Sequence, residues 1–186
     1  MTFEQFFSSE IRARLVKFFL LNHGKFFQAG EIARRLGVSS ATAKTNLKRL
    51  VKDGFLKSRS SRLFSVSYQF PYLNELRALI SQFPLVSDEW ILEKAKRMKR
   101  VKLLLVAGAL IHAPKARVEV FIVGDKIRAK TAERFMREME AIAAKELRYA
   151  LMTTQEFLYR KKMFDRFVLD TLEFPHRLLV NKLKIQ

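Results

Sequence analysis

The chain contains no cysteine. That excludes a disulfide framework and thiolate metal sites, and it fits a cytoplasmic protein. Long apolar runs are missing as well. The longest, Leu103 to Ile111 (LLLVAGALI), is well short of the roughly 18 residues that cross a bilayer, so no membrane segment is expected. It reads as a buried strand with its exit. The opening MTFEQFFSSE lacks the basic stretch and small-residue cleavage site of a signal peptide. His23, His112 and His176 are too scattered for ligand spacing, and turn, surface and core positions account for them. No internal repeat or low-complexity segment appears.

Acidic residues are the scarce charge. Asp and Glu number 18 against 36 Lys and Arg, a net charge of +18. Such an excess concentrates polyanions around a protein, and nucleic acid is the commonest of these. Residues 1–70 hold 13 basic and 4 acidic side chains, and residues 71–186 hold 23 and 14. The excess is thus the same in both parts and denser in the first. With 49% hydrophobic and 29% charged residues, the composition is that of a globular protein.

Along the first 70 residues the local signals follow in a specific order. Ser9 caps an amphipathic helix carrying Ile11, Leu15, Phe18 and Phe19, which closes at Asn22-His23-Gly24. Phe26 and Phe27 form a short extended piece packed beneath it. Gln28-Ala29-Gly30 opens a second helix with Ile32, Ala33 and Leu36 on one face, ended by Gly37. Ser39 or Ser40 caps a third, in which Ala43, Leu47 and Leu50 make a buried stripe. Asp53-Gly54 closes it. Phe55–Lys57 and Leu63–Tyr68 then pair as a hairpin whose tip, Ser58 to Arg62, is basic.

The string EIARRLGVSSATAKTNLKRLVKDGFLKSRSSRLFSV resembles the winged helix-turn-helix of bacterial and archaeal transcription regulators over about 60 residues. The resemblance implies that the third helix enters the major groove of duplex DNA. With Ala43, Leu47 and Leu50 buried, its outward face holds Ser40, Ala41, Lys44, Thr45 and Lys48. Arg59 and Arg62 at the wing tip suit phosphates or the minor groove. Lys25, Arg34 and Arg35 are further candidates for backbone contacts.

After Pro71 the pattern changes. Helices are expected over Leu73 to Phe83 and Asp88 to Arg100, the second carrying the basic run EKAKRMKR, which suits either flanking phosphate or solvent. Strands are expected at Val101–Ala107, Arg117–Val123, Leu147–Met152 and Arg177–Val180. A four-turn helix is expected over Lys130–Lys145. A last helix capped by Thr154 is expected to place Phe157, Leu158, Met163, Phe164, Phe167 and Leu172 against the sheet. Gly124-Asp125 reads as a strand-to-helix turn, and Asp165 and Asp170 as two acids on different faces of one helix.

From Lys102 to Val123 the chain is similar to the nucleotidyltransferase superfamily. That family needs a Gly-Ser turn, an Asp-x-Asp metal pair and a third acid. Here the turn is Gly108-Ala109, the pair is Arg117-Val118-Glu119, and Arg148 or Tyr149 stands at the third place. A cation beside one carboxylate repels Mg²⁺, so the resemblance implies a domain without catalysis, serving dimerisation or ligand sensing. Arg117 and Glu119 read as a salt-bridged sheet position.

The expectation is therefore an α+β protein in three parts. Residues 1–70 form the winged helix-turn-helix, 71–100 a helical linker, and 101–186 a small α/β nucleotidyltransferase-like domain. Its function is sequence-specific binding of double-stranded DNA in transcription regulation, as a homodimer, with no enzymatic activity, cofactor or metal. An active nucleotidyltransferase and an RNA-binding or ribosome-associated factor are the alternatives.

Overall fold

In the computed structural model, residues 9–113 and 115–185 are described. The chain divides into two compact units. One runs to Phe83 and includes Ala141–Lys145; the other holds Pro84–Glu140 and the chain from Glu146 onward.

The first unit is built around α1 (Glu10–Leu21), whose N-cap Ser9 accepts a hydrogen bond from the Arg12 N–H. Ala13, Leu15, Phe18 and Phe19 are fully enclosed, so α1 is the central helix of the unit rather than a covering one. At its end Asn22 Nδ2 donates to the carbonyls of Phe18 and Ala144, each at 2.8 Å. The strand β1 (Phe27–Gln28) follows. Its alternation buries Phe27 against the rings of Phe18 and Phe19 and turns Phe26 outward, 42% exposed. The expectation that both rings pack beneath α1 thus holds for Phe27 alone.

Next come α2 (Ala29–Leu36) and α3 (Ser40–Lys52). Gly37 separates them with φ 64°, a left-handed conformation that suits glycine at a helix C-terminus, and its N–H bonds the Ala33 and Arg34 carbonyls. Ser39 caps α3, accepting from the Thr42 N–H. Strands β2 (Leu56–Arg59) and β3 (Leu63–Val66) pair antiparallel from Leu56↔Val66 to Arg59↔Leu63. Ser60 and Ser61, both at φ 52°, form the tip in the doubly left-handed geometry that matches the twist of a tight hairpin. The sheet order is β1-β3-β2. Helix α4 (Leu73–Ser81) adds Leu73 and Ile80 to the same core.

The second unit begins with α5 (Asp88–Lys96). The helix stops four residues before the expected Arg100, and residues 97–100 make a turn with Lys99 at φ 40°. Strand β4 (Val101–Ala107) leads into a 3₁₀ turn (Gly108–Ile111), and β5 (Val120–Gly124) starts three residues later than expected. Then come α6 (Ala129–Ala143), β6 (Tyr149–Met152), α7 (Thr154–Lys162), α8 (Arg166–Glu173) and β7 (His176–Asn181). The sheet order is β6-β5-β4-β7. β4 pairs antiparallel with β5 and β7, while β5 and β6 are parallel, a pairing that requires a crossover such as α6 provides. Both faces of β4 and β5 are covered, which is why they read as unbroken apolar runs.

The expected last helix is two helices. Thr153, not Thr154, caps α7, the chain turns at Phe164 (φ 53°), and Asp165 caps α8. Phe157 is enclosed and Phe167 packs on the same core, but the turn sends Met163 and Phe164 into solvent, 61% and 77% exposed, and Leu158 is exposed too.

Candidate nucleic-acid interface

Helix α3 sorts its residues by the 3.6-residue period. Ala43, Leu47 and Leu50 are buried, and Ser40, Ala41, Lys44, Thr45 and Lys48 are exposed along the opposite face. The hairpin then stands beside the helix. Between them lies a groove of about 570 Å³ lined by Lys44, Lys48 and Val51 from α3, Ser58, Ser61, Arg62 and Phe64 from the hairpin, and Gln28 to Gly30 at the start of α2. Three expected cations, Lys44, Lys48 and Arg62, are thus brought to one concavity. Ser40, Ala41, Thr45 and Arg59 are exposed but do not line it.

Among the described residues, no acid borders the groove, and Lys44, Lys48, Arg59 and Arg62 form no ion pair. Arg34 and Lys25 are exposed, whereas Arg35 is held by Glu31 at 2.8 Å one turn earlier. The groove also takes in Ser58, Ser61 and Gln28, which helix periodicity and charge do not single out. Ser58 lies in β2 opposite Phe64, not in the tip as expected, and Ser61 lies at the tip, so the hairpin register is the signal that could find them.

In the second unit Arg117, Glu119 and Arg148, the residues of the expected motif, are folded into structural pairs. Arg117 and Glu119 precede β5 and do not pair with each other, which corrects the expected sheet salt bridge. Glu119, buried, accepts from the Arg148 N–H at 2.8 Å, from Nε at 3.2 Å and from Nη2 at 2.9 Å. That carboxylate holds the Arg148 guanidinium above its ordinary pKa. Arg117 instead binds Asp170 through Nε at 2.7 Å and through Nη2. Asp170 also takes Arg166 Nε at 3.0 Å. Asp165 is a cap and Asp170 a buried anchor, so the two have distinct structural roles rather than merely different faces.

Gly108 (φ 57°) does hold a close approach. A Cβ there would lie 3.1 Å from Ala116 Cβ and 3.2 Å from Glu119 Cγ. Asp125, beyond β5, accepts from the Thr154 N–H and hydroxyl at 3.1 and 3.0 Å and pairs with Lys102 at 2.8 Å. The Lys102 ammonium first, and the Thr154 bonds next, hold its pKa at about 2. Among the described residues no three acids or histidines are grouped to share a metal ion, and no helix is long and apolar enough to cross a membrane.

Residues 18–63 match the model of the MarR family, from the second half of α1 to the first residue of β3. The match supports a winged helix-turn-helix of the transcription-regulator type. No curated protein and no solved structure matches the chain.

Proposed function

We propose that the chain is a sequence-specific, double-stranded-DNA-binding transcription regulator. The carrying observation is the acid-free groove between α3 and the wing, into which Lys44, Lys48 and Arg62 converge. In this reading α3 lies in the major groove. Lys44, Lys48 and Thr45 face base edges and nearby phosphates, Ser40 and Ala41 fit the helix start against the duplex, and Arg59 and Arg62 grip the flanking backbone. A single helix reads few base pairs, so a homodimer on a two-fold site is part of the proposal.

The second unit fits a nucleotidyltransferase-like domain that has lost its chemistry. Its antiparallel β4–β5 pair, joined through α6 to a parallel β6, supports the likeness. Its acids support the loss: Glu119 is neutralised by Arg148 and Asp170 by Arg117 and Arg166, so neither carboxylate is left to hold Mg²⁺. Dimerisation or ligand sensing is the role proposed for it.

The test is selection from a random duplex library with the purified chain, followed by salt titration of Arg59→Ala/Arg62→Ala. An enriched two-fold motif is expected, with a log–log salt slope shallower by about 0.9 for each phosphate no longer gripped. No enrichment, together with tighter binding of structured RNA at matched salt, would overturn the reading in favour of an RNA-binding factor.

A further inference from the structure

Two turns of the second unit are built on lysines in a conformation that lysine rarely adopts. Lys99, after α5, has φ 40°, and Lys126, after β5, has φ 54°. Such geometry persists only where the surroundings impose it, and it concentrates at functional sites. Here the imposing feature is a close backbone approach. Val101 pairs with Gly124 at the first rung of the β4–β5 ladder, ahead of a register shift. A Cβ on Gly124 would lie 2.4 Å from the Arg100 carbonyl oxygen, so glycine lets the two turns meet.

Where they meet, a cavity of about 530 Å³ opens, and its polar wall is cationic: Arg97, Lys99, Arg100, Lys126 and Arg128, with Thr131 as the neutral member. Among the described residues none of these five cations forms an ion pair. The acid in the adjoining turn, Asp125, is already held by Lys102 and Thr154. The surface continues into a second groove that shares Arg97 and Thr131 and adds Lys130. Lys94 and Arg134, also on that groove, are partly compensated by Glu138.

We infer that this surface grips the phosphodiester backbone of duplex DNA, as a sequence-independent contact separate from α3 and the wing. Five like charges around one concavity raise each other's energy, and a row of anions relieves it. A polymer suits the surface better than a small anion for two reasons. The cations run on from one concavity into the next. The first, where the five meet, offers neither an aromatic face for a base nor a carboxylate for a ribose hydroxyl, while Phe135 and Glu138 of the second are engaged by Trp90 and by Lys94 and Arg134. That the polymer is DNA rests on the reading of the α3–wing site. The phosphate chemistry rests only on the turns described.

The experiment uses the full chain and the double variant Lys99→Gly/Lys126→Gly. Glycine suits both φ values, so loss of the two charges comes without loss of the fold, which thermal melting checks. Binding of a random-sequence duplex is titrated with salt. The expected log–log slope is shallower by about 1.8, at about 0.9 per phosphate, with the selected motif unchanged. A second variant, Arg97→Gln/Arg100→Gln/Arg128→Gln, should lower the slope further in the same way. An unchanged duplex slope in both variants overturns the inference. So does an unchanged duplex slope with lost binding of structured RNA, or with lost thermal stabilisation by inorganic tripolyphosphate, which would assign the surface to those ligands. Failure of the α3–wing reading looks different: Lys44→Ala/Arg62→Ala then binds as the parent does, while Lys99→Gly/Lys126→Gly still weakens the duplex.

Discussion

Glu119 stands where the proposed nucleotidyltransferase likeness would want a metal ligand, and the fold ties it to Arg148 as a strut. The substitution Glu119→Gln separates these roles. In the structure its carboxylate receives three bonds from Arg148, one from the backbone N–H and two from the guanidinium, at the point where β6 is about to join β5. Gln keeps one acceptor for the N–H but sets an amide NH₂ against the guanidinium. A bond to a charged partner contributes about 1.5–3 kcal/mol when shielded. The Arg148 side chain is 63% exposed, and solvent screens its share. The expected loss is therefore about 1–3 kcal/mol, with a coupling of roughly 0.5–1.5 kcal/mol between Glu119→Gln and Arg148→Gln in a double-mutant cycle. Urea unfolding followed by tryptophan fluorescence measures it. The chain's one tryptophan, Trp90, stacks on Phe135 within the second unit, so the signal reports that unit even if the other unfolds separately. A coupling below about 0.3 kcal/mol would refute the strut. So would an unaltered stability joined to loss of a Mg²⁺-dependent nucleotide transfer present in the parent, for then the carboxylate serves chemistry.

Two further outcomes are expected. The pKa of Asp125 lies at about 2, below its ordinary 3.8, so the charged form is favoured by the fold; its stabilisation is complete above about pH 4 and is lost as pH falls toward 2, and Asp125→Asn should remove that segment from an acid titration followed at Trp90. On α3, Lys44→Ala/Thr45→Ala should relax base preference in library selection, at about 1–3 kcal/mol for each good bidentate bond to a base that is removed; an unchanged motif would move base reading off this face.

The first unit is legible residue by residue because its signals are local. Ser9 and Ser39 cap the helices they precede, Gly37 ends α2 in the conformation glycine alone adopts cheaply, and the Ala43/Leu47/Leu50 stripe needs only helical periodicity. The second unit is legible where one strand is buried on both faces, as at Val101–Ala107. Local signals fail where tertiary contacts overrule the chain. Nothing around Met163-Phe164 spells a break, since neither glycine nor proline is there, yet Phe164 turns left-handed while Phe157 and Phe167 both reach Phe121. The partners of Arg117 and Glu119 lie 53 and 29 residues away, so adjacency suggests the wrong pair. The basic run Lys94–Arg100 reads as a continuation of the helix because neither glycine nor proline interrupts it. Its end at Lys96, and the return of Lys126 and Arg128 beside it, exist only in the folded chain.

The same pairing explains why a net charge of +18 does not spread evenly into function. Acids of the second unit are consumed in holding its own elements: Asp125 ties β5 to α7, Glu119 the start of β5 to that of β6, and Asp170 anchors the segment ahead of β5 to α8. Each such bond also removes a cation, Lys102, Arg148 or Arg117, from the surface available to a polyanion. Two of the places where uncompensated cations gather are the groove between α3 and the wing and the paired turns around Gly124. Net charge alone therefore overstates the binding surface, and neutralising Lys102, in β4 beside these turns, should matter less to DNA than neutralising Lys126 within them.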